Sequence, residues 1–575
     1  MPLGPECIHP AKTGHAMPAP SPHDRVWASW VRGDAAGAIT VALQHAADVR
    51  MLRAACAMAL RSHRVDLLMS HIDDISALDA GVERDGVLAS VLVGEGRIDE
   101  AALVVLAISP DEIAATDDRP IASATSLRSA AIAYVALGAI ASGAWVVAAR
   151  CLAAVRALLD AESADADDEI GRFDLLGMAA MVEAHTGTEN EAVVALESAL
   201  APLRSRNLLS SEHALALIAL GDVNHLHGSL ERAAVNLSRG ARLTAASRPG
   251  FISHARVLLA FIRIRQGRWA DAAVEVERLG EPNETIERDW IRTQILAVRG
   301  LLRVVTGDLD AGAADLREAR ALAETTPSNL AAMVMLHARI VEAVTRGDWD
   351  GLQHALDDSE EPGYRHPYRD GEWRVLTLVA AWNRRSFADF RRRLTDWALT
   401  SDAVDDPYYW ACASLAAEFE QRHSDALAAA ERALTVLGPA QDPMGQVWVL
   451  MVVGRYFVRY GDEGSPDPDR AREVWDRVIA QLRGLGALAL AERCERIVDR
   501  MMARFERERA AHPLASLTPQ QVRIARAVAQ GYTSDEIAAI EFLSKRTIDY
   551  HVTNIVVRLG LSSRREIARV IDAAD

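Results

Sequence analysis

Between Ser544 and Thr553 the sequence reads SKRTIDYHVT, and six of these side chains have chemistry suited to a nucleic acid. The cations of Lys545 and Arg546 and the hydroxyl of Thr547 match phosphate oxygens, with Arg558 a further cation downstream. Asp549, Tyr550 and Thr553 carry donors and acceptors that match base edges, and a carboxylate can accept from cytosine N4. Positions 546, 549, 550 and 553 fall on one face of a helix, whereas Ile548, Val552, Ile555 and Leu559 fall on another. A buried stripe opposite a polar, base-capable face is how a recognition helix is built. A small helical cap with a solvated charged face has the same pattern and stands as the alternative.

The flanking sequence positions that face with short helices and tight stops. Thr518 with Gln521, Thr533 with Glu536, and Ser563 with Glu566 each read as a capping box, and Ser544 reads as an N-cap. Pro519 sits at a first helical position, and Gly531 and Gly560 follow helix ends. Val522, Ala525, Val528 and Ala529 stripe the first helix, and Ile537, Ala538 and Ile540 the second.

The stretches LTP from Leu517, GYTSDEIA from Gly531, LSKRTIDYHVTNI from Leu543 and RLGLSSRREIA from Arg558 resemble the helix-turn-helix of LuxR-type transcription regulators. Gln521 stands where that family usually has Glu, and Asp549 where it often has Lys. The TIDYH form is similar to a variant of large actinobacterial members. The resemblance covers about a tenth of the chain. It implies double-stranded DNA as a partner, a homodimer on DNA, and RNA polymerase if the protein activates. In that family the fourth helix supplies much of the dimer contact, which places Ile567, Val570 and Ile571 there.

A chain of 575 residues needs several domains or a repeat array. The net charge of −17 confines any DNA contact to a local patch. Cys7, Cys56, Cys151, Cys412 and Cys494 have no CxxC or Cys/His spacing, so they read as reduced thiols in a cytosol with no metal site. Residues 1–23 are Pro-rich and read as a disordered lead. Ser129 to Ala149 carries no charge but is mostly Ala, Ser and Gly; it reads as two buried helices and not as a membrane span.

Residues 24–505 repeat. A turn Gly followed by a small-residue helix begins at Gly96, Gly143, Gly187, Gly228, Gly267, Gly307 and Gly347, with steps near 40 from Gly187 onward. The period predicts one helix hairpin per repeat, each stacked on the next. Arg385-Ser386-Phe387 and His423-Ser424-Asp425 occupy the corresponding places later. The unit from Ala214 to Arg248, with Leu220-Gly221, Gly228, Ala233 and Leu237, is similar to a tetratricopeptide repeat. The array resembles the helical arm of large LuxR-type regulators, and Leu485 onward resembles that arm's last helix. The fold expected is all-α: a tetratricopeptide-like solenoid over 24–505, a linker over 506–516, and a four-helix helix-turn-helix domain over 517–575.

Large regulators of that family carry a P-loop ATPase. Neither lysine of this chain, Lys12 or Lys545, stands in a Gly-Lys-Ser/Thr loop, and no GxSxG, HExxH or GxGxxG after a strand occurs. The expectation is therefore a cytoplasmic protein that is not an enzyme and uses no cofactor or metal. Eleven of the 30 aromatics lie between Trp349 and Trp410. Trp349, Tyr364, Tyr368, Trp373 and Trp382 form a candidate surface for a small-molecule or protein ligand, or else fill core where helices are more widely spaced. Two readings follow. One is a DNA-binding regulator whose arm senses a ligand or partner. The other is an interaction scaffold with a degenerate DNA-binding module, which Asp549 and the acidic total favour.

Overall fold

The computed structural model describes residues 21–108, 124–162, 169–186, 191–210, 213–244, 249–280, 288–358, 370–400, 403–438, 443–459, 467–511, 514 and 516–574. Among these residues the chain is all α-helix with short 3-10 turns and no strand. It divides into two compact units: Met1–Thr400 with Pro439–Gly445, and Ser401–Gly438 with Gln446–Asp575. The division lies well before the 505/517 boundary expected from sequence, so the last helical hairpins share a unit with the C-terminal module. Two sequence boundaries also shift. The first helix already begins at Pro22, and the helix Leu488–Ala511 runs on into the stretch read as linker.

The repeat turn has one construction. Gly96, Gly143, Gly228, Gly267, Gly307 and Gly347 all have positive φ. At Gly228, Gly267, Gly307 and Gly347 the next residue's N–H reaches back five residues: Ser229 to Asn224 O, Arg268 to Arg263 O, Asp308 to Arg303 O and Asp348 to Ala343 O, each at 2.8 Å. This left-handed stop ends one helix, and the next starts two residues later. Asp308 and Asp348 then cap their helices through Ala311 N–H and Gly351 N–H. Gly187 lies outside the described residues. Where glycine is missing, Arg385 (φ 61°) and Gln421 (φ 58°) take the same conformation. The later turn is thus Gln421-Arg422-His423, two residues ahead of the place assigned from sequence.

Small residues set how closely paired helices approach. In the helices Ala214–Leu226 and Leu230–Thr244, a Cβ added to Gly221 would stand 2.5 Å from Leu237 Cγ. In the next-but-one hairpin, Arg288–Thr306 with Leu309–Ala323, a Cβ on Gly312 would stand 3.0 Å from the Gly300 carbonyl oxygen. There the helices touch backbone to backbone. Arg299 grips Asp315 through two bonds of 2.9 Å, and Arg303 donates a third at 2.6 Å.

The uncharged stretch from Ser129 is broken as expected. Ala124–Ser142 and Trp145–Glu162 are separate helices joined at Gly143 (φ 79°), and Leu127 to Leu158 contribute to a continuous apolar core running from Val26 to Val223. Among the described residues no helix is long and apolar enough to cross a membrane. Cys56, Cys151, Cys412 and Cys494 are free and buried. Burial pushes the Cys56 thiol up to about 12 and those of Cys151 and Cys494 to about 11, so all three are protonated at neutral pH.

Candidate nucleic-acid interface

The C-terminal module holds four helices: Pro519–Ala529, Ser534–Ile540, Lys545–Arg558 and Glu566–Ala574. Two of the expected capping boxes are formed. Gln521 N–H donates to Thr518 Oγ1 (3.3 Å) while Thr518 N–H donates to Gln521 Oε1 (3.1 Å). Thr533 and Glu536 exchange the same pair of bonds, which holds the Glu536 carboxyl below its ordinary range. Ser544 accepts from Thr547 N–H at 3.1 Å. The third box is not formed. The fourth helix starts at Glu566 and not beside Ser563, and the Glu566 carboxylate accepts from Ser562 N–H at 2.9 Å. That bond satisfies one orphan N–H of the turn and leaves the Ser563 hydroxyl outside the helix.

Ile524, Ala525, Ile537, Ile548, Ile555 and Ile567 converge in a compact core. Ile548, Val552 and Ile555 are the buried stripe of the third helix, which turns Arg546, Asp549, Tyr550 and Thr553 outward, all exposed. Tyr550 is 65% exposed, and Thr553 Oγ1 donates to Asp549 O within the helix (2.9 Å). Val557, four residues beyond Thr553 and 71% exposed, extends the same face. Sequence reasoning missed it, although the i+4 spacing signals it, and an aliphatic group there suits a thymine methyl.

The cations divide into two sets. Arg546 has no hydrogen-bond or ion-pair partner among the described residues and stands exposed on the outer face. Lys545 Nζ lies 2.6 Å from Asp535 Oδ2, a contact that raises the ammonium's affinity for its proton. Thr547 is half-buried beside its cap. Arg558, read from sequence as a phosphate contact, is exposed, and its Nη1 donates to Ser516 O (3.0 Å) and to Gln521 Oε1 (3.1 Å), tying the far end of the recognition helix to the first helix's capping box. Arg564 ties the start of the fourth helix to Tyr532 O and Ser534 Oγ, and Arg523 is bidentate on Glu541. These arginines hold the module together.

The proposed dimer residues also move. Ile567 (0% exposed) and Ile571 (4%) lie in the module's own core, where the fourth helix packs on the first, and Val570 is half-buried. Ile567 and Ile571 are thus covered within one chain. In the arm, Trp382 packs edge-on against Phe387 and Phe390 (5.3 and 5.2 Å), Trp397 is buried with the Arg374 guanidinium over its ring, and Trp349 and Trp373 are half-buried. Tyr364 and Tyr368 lie outside the described residues. Trp382, Phe387, Phe390 and Trp397 line the seam between the helices Asp370–Asn383 and Phe387–Ala398. Among the described residues no group of His, Cys, Asp and Glu is placed to hold a metal ion.

The Lys545–Asp535 contact has a measurable consequence. Both groups are exposed, so the pair is weak and salt-sensitive. Asp535→Asn should tighten DNA binding roughly threefold at low salt, with the gain fading as salt rises. Fluorescence anisotropy over a salt series checks it, and a loss of affinity would show that Asp535 itself serves the contact.

Residues 515–571 match the family described as bacterial regulatory proteins, luxR family. A stretch of 98 residues is 37% identical to a protein of Mycobacterium bovis named as an HTH-type transcriptional regulator, and equally to one of Mycobacterium tuberculosis. Each match covers 16% of this chain and 10% of the relative. The C-terminal module is therefore a LuxR-type helix-turn-helix domain, and the likeness extends to a small part of those relatives.

Proposed function

We propose that this protein is a sequence-specific transcription regulator. The module over 517–575 binds double-stranded DNA, and the helical arm over 24–505, tetratricopeptide-like in plan, receives a ligand or protein signal. The observation that carries the reading is the recognition helix: Arg546, Asp549, Tyr550, Thr553 and Val557 share one exposed face over a fully buried stripe. Lys545, Arg546 and Thr547 contact phosphate at the helix N-terminus, and Asp549, Tyr550 and Thr553 read base edges. The protein acts without catalysis in the cytoplasm, pairs on two-fold operators, and meets RNA polymerase where it activates. Since Ile567 and Ile571 are internal to the module, pairing uses other surfaces.

Arg546→Ala should weaken binding on every sequence and reduce the salt slope by roughly one unit. Asp549→Ala should raise non-specific binding and cost about 1–3 kcal/mol of preference at the contacted base pair. Both variants are measured on selected and scrambled duplexes over a salt series. If wild type binds no duplex more tightly than scrambled DNA, the scaffold reading replaces this one. An unchanged preference in Asp549→Ala removes Asp549 from base reading.

A further inference from the structure

The recognition helix carries an amide with nothing of its own to bond. Asn554 lies well inside Lys545–Arg558, is half-buried, and has no hydrogen-bond partner among the described residues. Asparagine is a weak helix former, because its amide competes for backbone groups. Elsewhere in the chain Asn224, Asn236 and Asn383, also helical, are bonded. Asn224 Nδ2 donates to Leu220 O (2.6 Å) and Asn383 Nδ2 to Val379 O (2.8 Å), each four residues back, and Asn236 Oδ1 accepts from Arg204 (3.1 Å). Asn554 makes no such bond, although the Tyr550 carbonyl stands four residues back. Alanine would serve the helix better at this position.

We infer that Asn554 reads adenine in the major groove, Nδ2–H donating to N7 and Oδ1 accepting from the N6 amino group. This rests on the DNA-binding reading of the module. Position argues for it. At about 100° per residue, Asn554 lies about 40° around the helix from Tyr550 and about 60° from Val557, whereas Asp549 lies about 100° from Tyr550. It therefore stands between two exposed members of the DNA-facing surface, opposite the buried Ile548, Val552 and Ile555. Chemistry argues for it too. Thr553 already donates its hydroxyl proton to Asp549 O (2.9 Å) and keeps only lone pairs for DNA. Asp549 only accepts and Arg546 only donates. Among these side chains the Asn554 amide alone sets a donor and an acceptor side by side, the pair that adenine N7 and N6 match. Once the groove strips water from that amide, a wrong base leaves one of its groups unpaired. One helical turn, about 5.4 Å, separates Asn554 from Tyr550, so the adenine lies one or two base-pair steps beyond the pair that Tyr550 meets.

Duplexes that the full-length wild-type chain selects from a random library, measured by fluorescence anisotropy, test this. Wild type should prefer adenine at one position by about fivefold to a hundredfold. 7-Deazaadenine there, which lacks the N7 acceptor, should cost wild type about fivefold. Asn554→Ala should bind the adenine and 7-deazaadenine duplexes equally, and should melt no lower than wild type. Asn554→Asp keeps the size of the side chain but only accepts, so the preference at that position should move from adenine to cytosine. A loss in Asn554→Ala that is equal on every duplex would make Asn554 a backbone contact, and a lowered melting point would make it a structural residue. Either result overturns the inference, as does an Asn554→Asp chain that still prefers adenine. If wild type enriches no sequence, the DNA-binding reading falls and this inference with it. An enriched sequence whose adenines do not depend on Asn554 removes the inference alone.

Discussion

Gly312→Val should destabilise the arm by about 3 kcal/mol or more, which lowers its melting point by roughly 6–12 °C. The added Cβ would stand 2.9 Å from Val304 Cγ2, 3.0 Å from Gly300 O and 3.2 Å from Val304 N. Two of those three atoms are backbone, which no rotamer change can move. The helices Arg288–Thr306 and Leu309–Ala323 would have to separate, and that separation pulls Asp315 away from Arg299 and Arg303. In a stacked array each hairpin is held by its neighbours, so a break here also uncouples the helices on either side and splits the melting curve. Gly484→Ala is the matched control. Nothing stands within 4 Å of a Cβ at Gly484, which lies within the helix Pro468–Leu485, so alanine should stabilise by about 0.5–1 kcal/mol. Circular dichroism melts of both variants check the contrast. A Gly312→Val protein that melts with wild type would show that the helices do not approach as closely as described.

The glycine turns were legible in the sequence because their code is local. A left-handed stop needs glycine at one position, and the period of those positions gives the hairpin length without any knowledge of packing. The same holds for Thr518 with Gln521 and Thr533 with Glu536, where cap and partner are three residues apart. Arg385 and Gln421 show the limit. They adopt the turn without glycine because the stacked neighbours fix the chain there, and that constraint is tertiary.

What the sequence did not disclose was which partner each side chain meets. Ile567, Val570 and Ile571 announce an apolar face, but periodicity does not say whether a second molecule or the module's own first helix covers it. The internal ties of Arg558 and Arg564 are invisible in sequence because their acceptors, at Ser516, Gln521, Tyr532 and Ser534, lie 30 or more residues away. Polar contacts between hairpins are the extreme case. His185 meets Asp222 (2.8 Å) and His254 faces Gln294 (3.4 Å), each pair separated in sequence by roughly one repeat. Only stacking brings such partners together.

Ile548→Ala should lower amide protection throughout Pro519–Ala529 and Lys545–Arg558 by roughly 30-fold to 1,000-fold, with a much smaller loss of DNA affinity. Ile548 is fully buried among Ile524, Ile537, Ile555 and Ile567. Truncating it removes three carbons from a tightly filled interior, at a cost of about 2–5 kcal/mol. A module of this size seldom draws more than about 3–5 kcal/mol from its core, so the variant is left close to half unfolded. Affinity falls only by the fraction that remains folded, whereas protection falls by the whole change in opening free energy. Saturating operator DNA should then restore protection, because DNA binds the folded state alone. Arg546→Ala gives the opposite signature, with full protection and reduced affinity, so the two variants separate the residue that builds the recognition helix from the one that uses it. Wild-type protection in Ile548→Ala would mean that another element holds the module folded, and that the isoleucine stripe is not what orients the DNA-facing side chains.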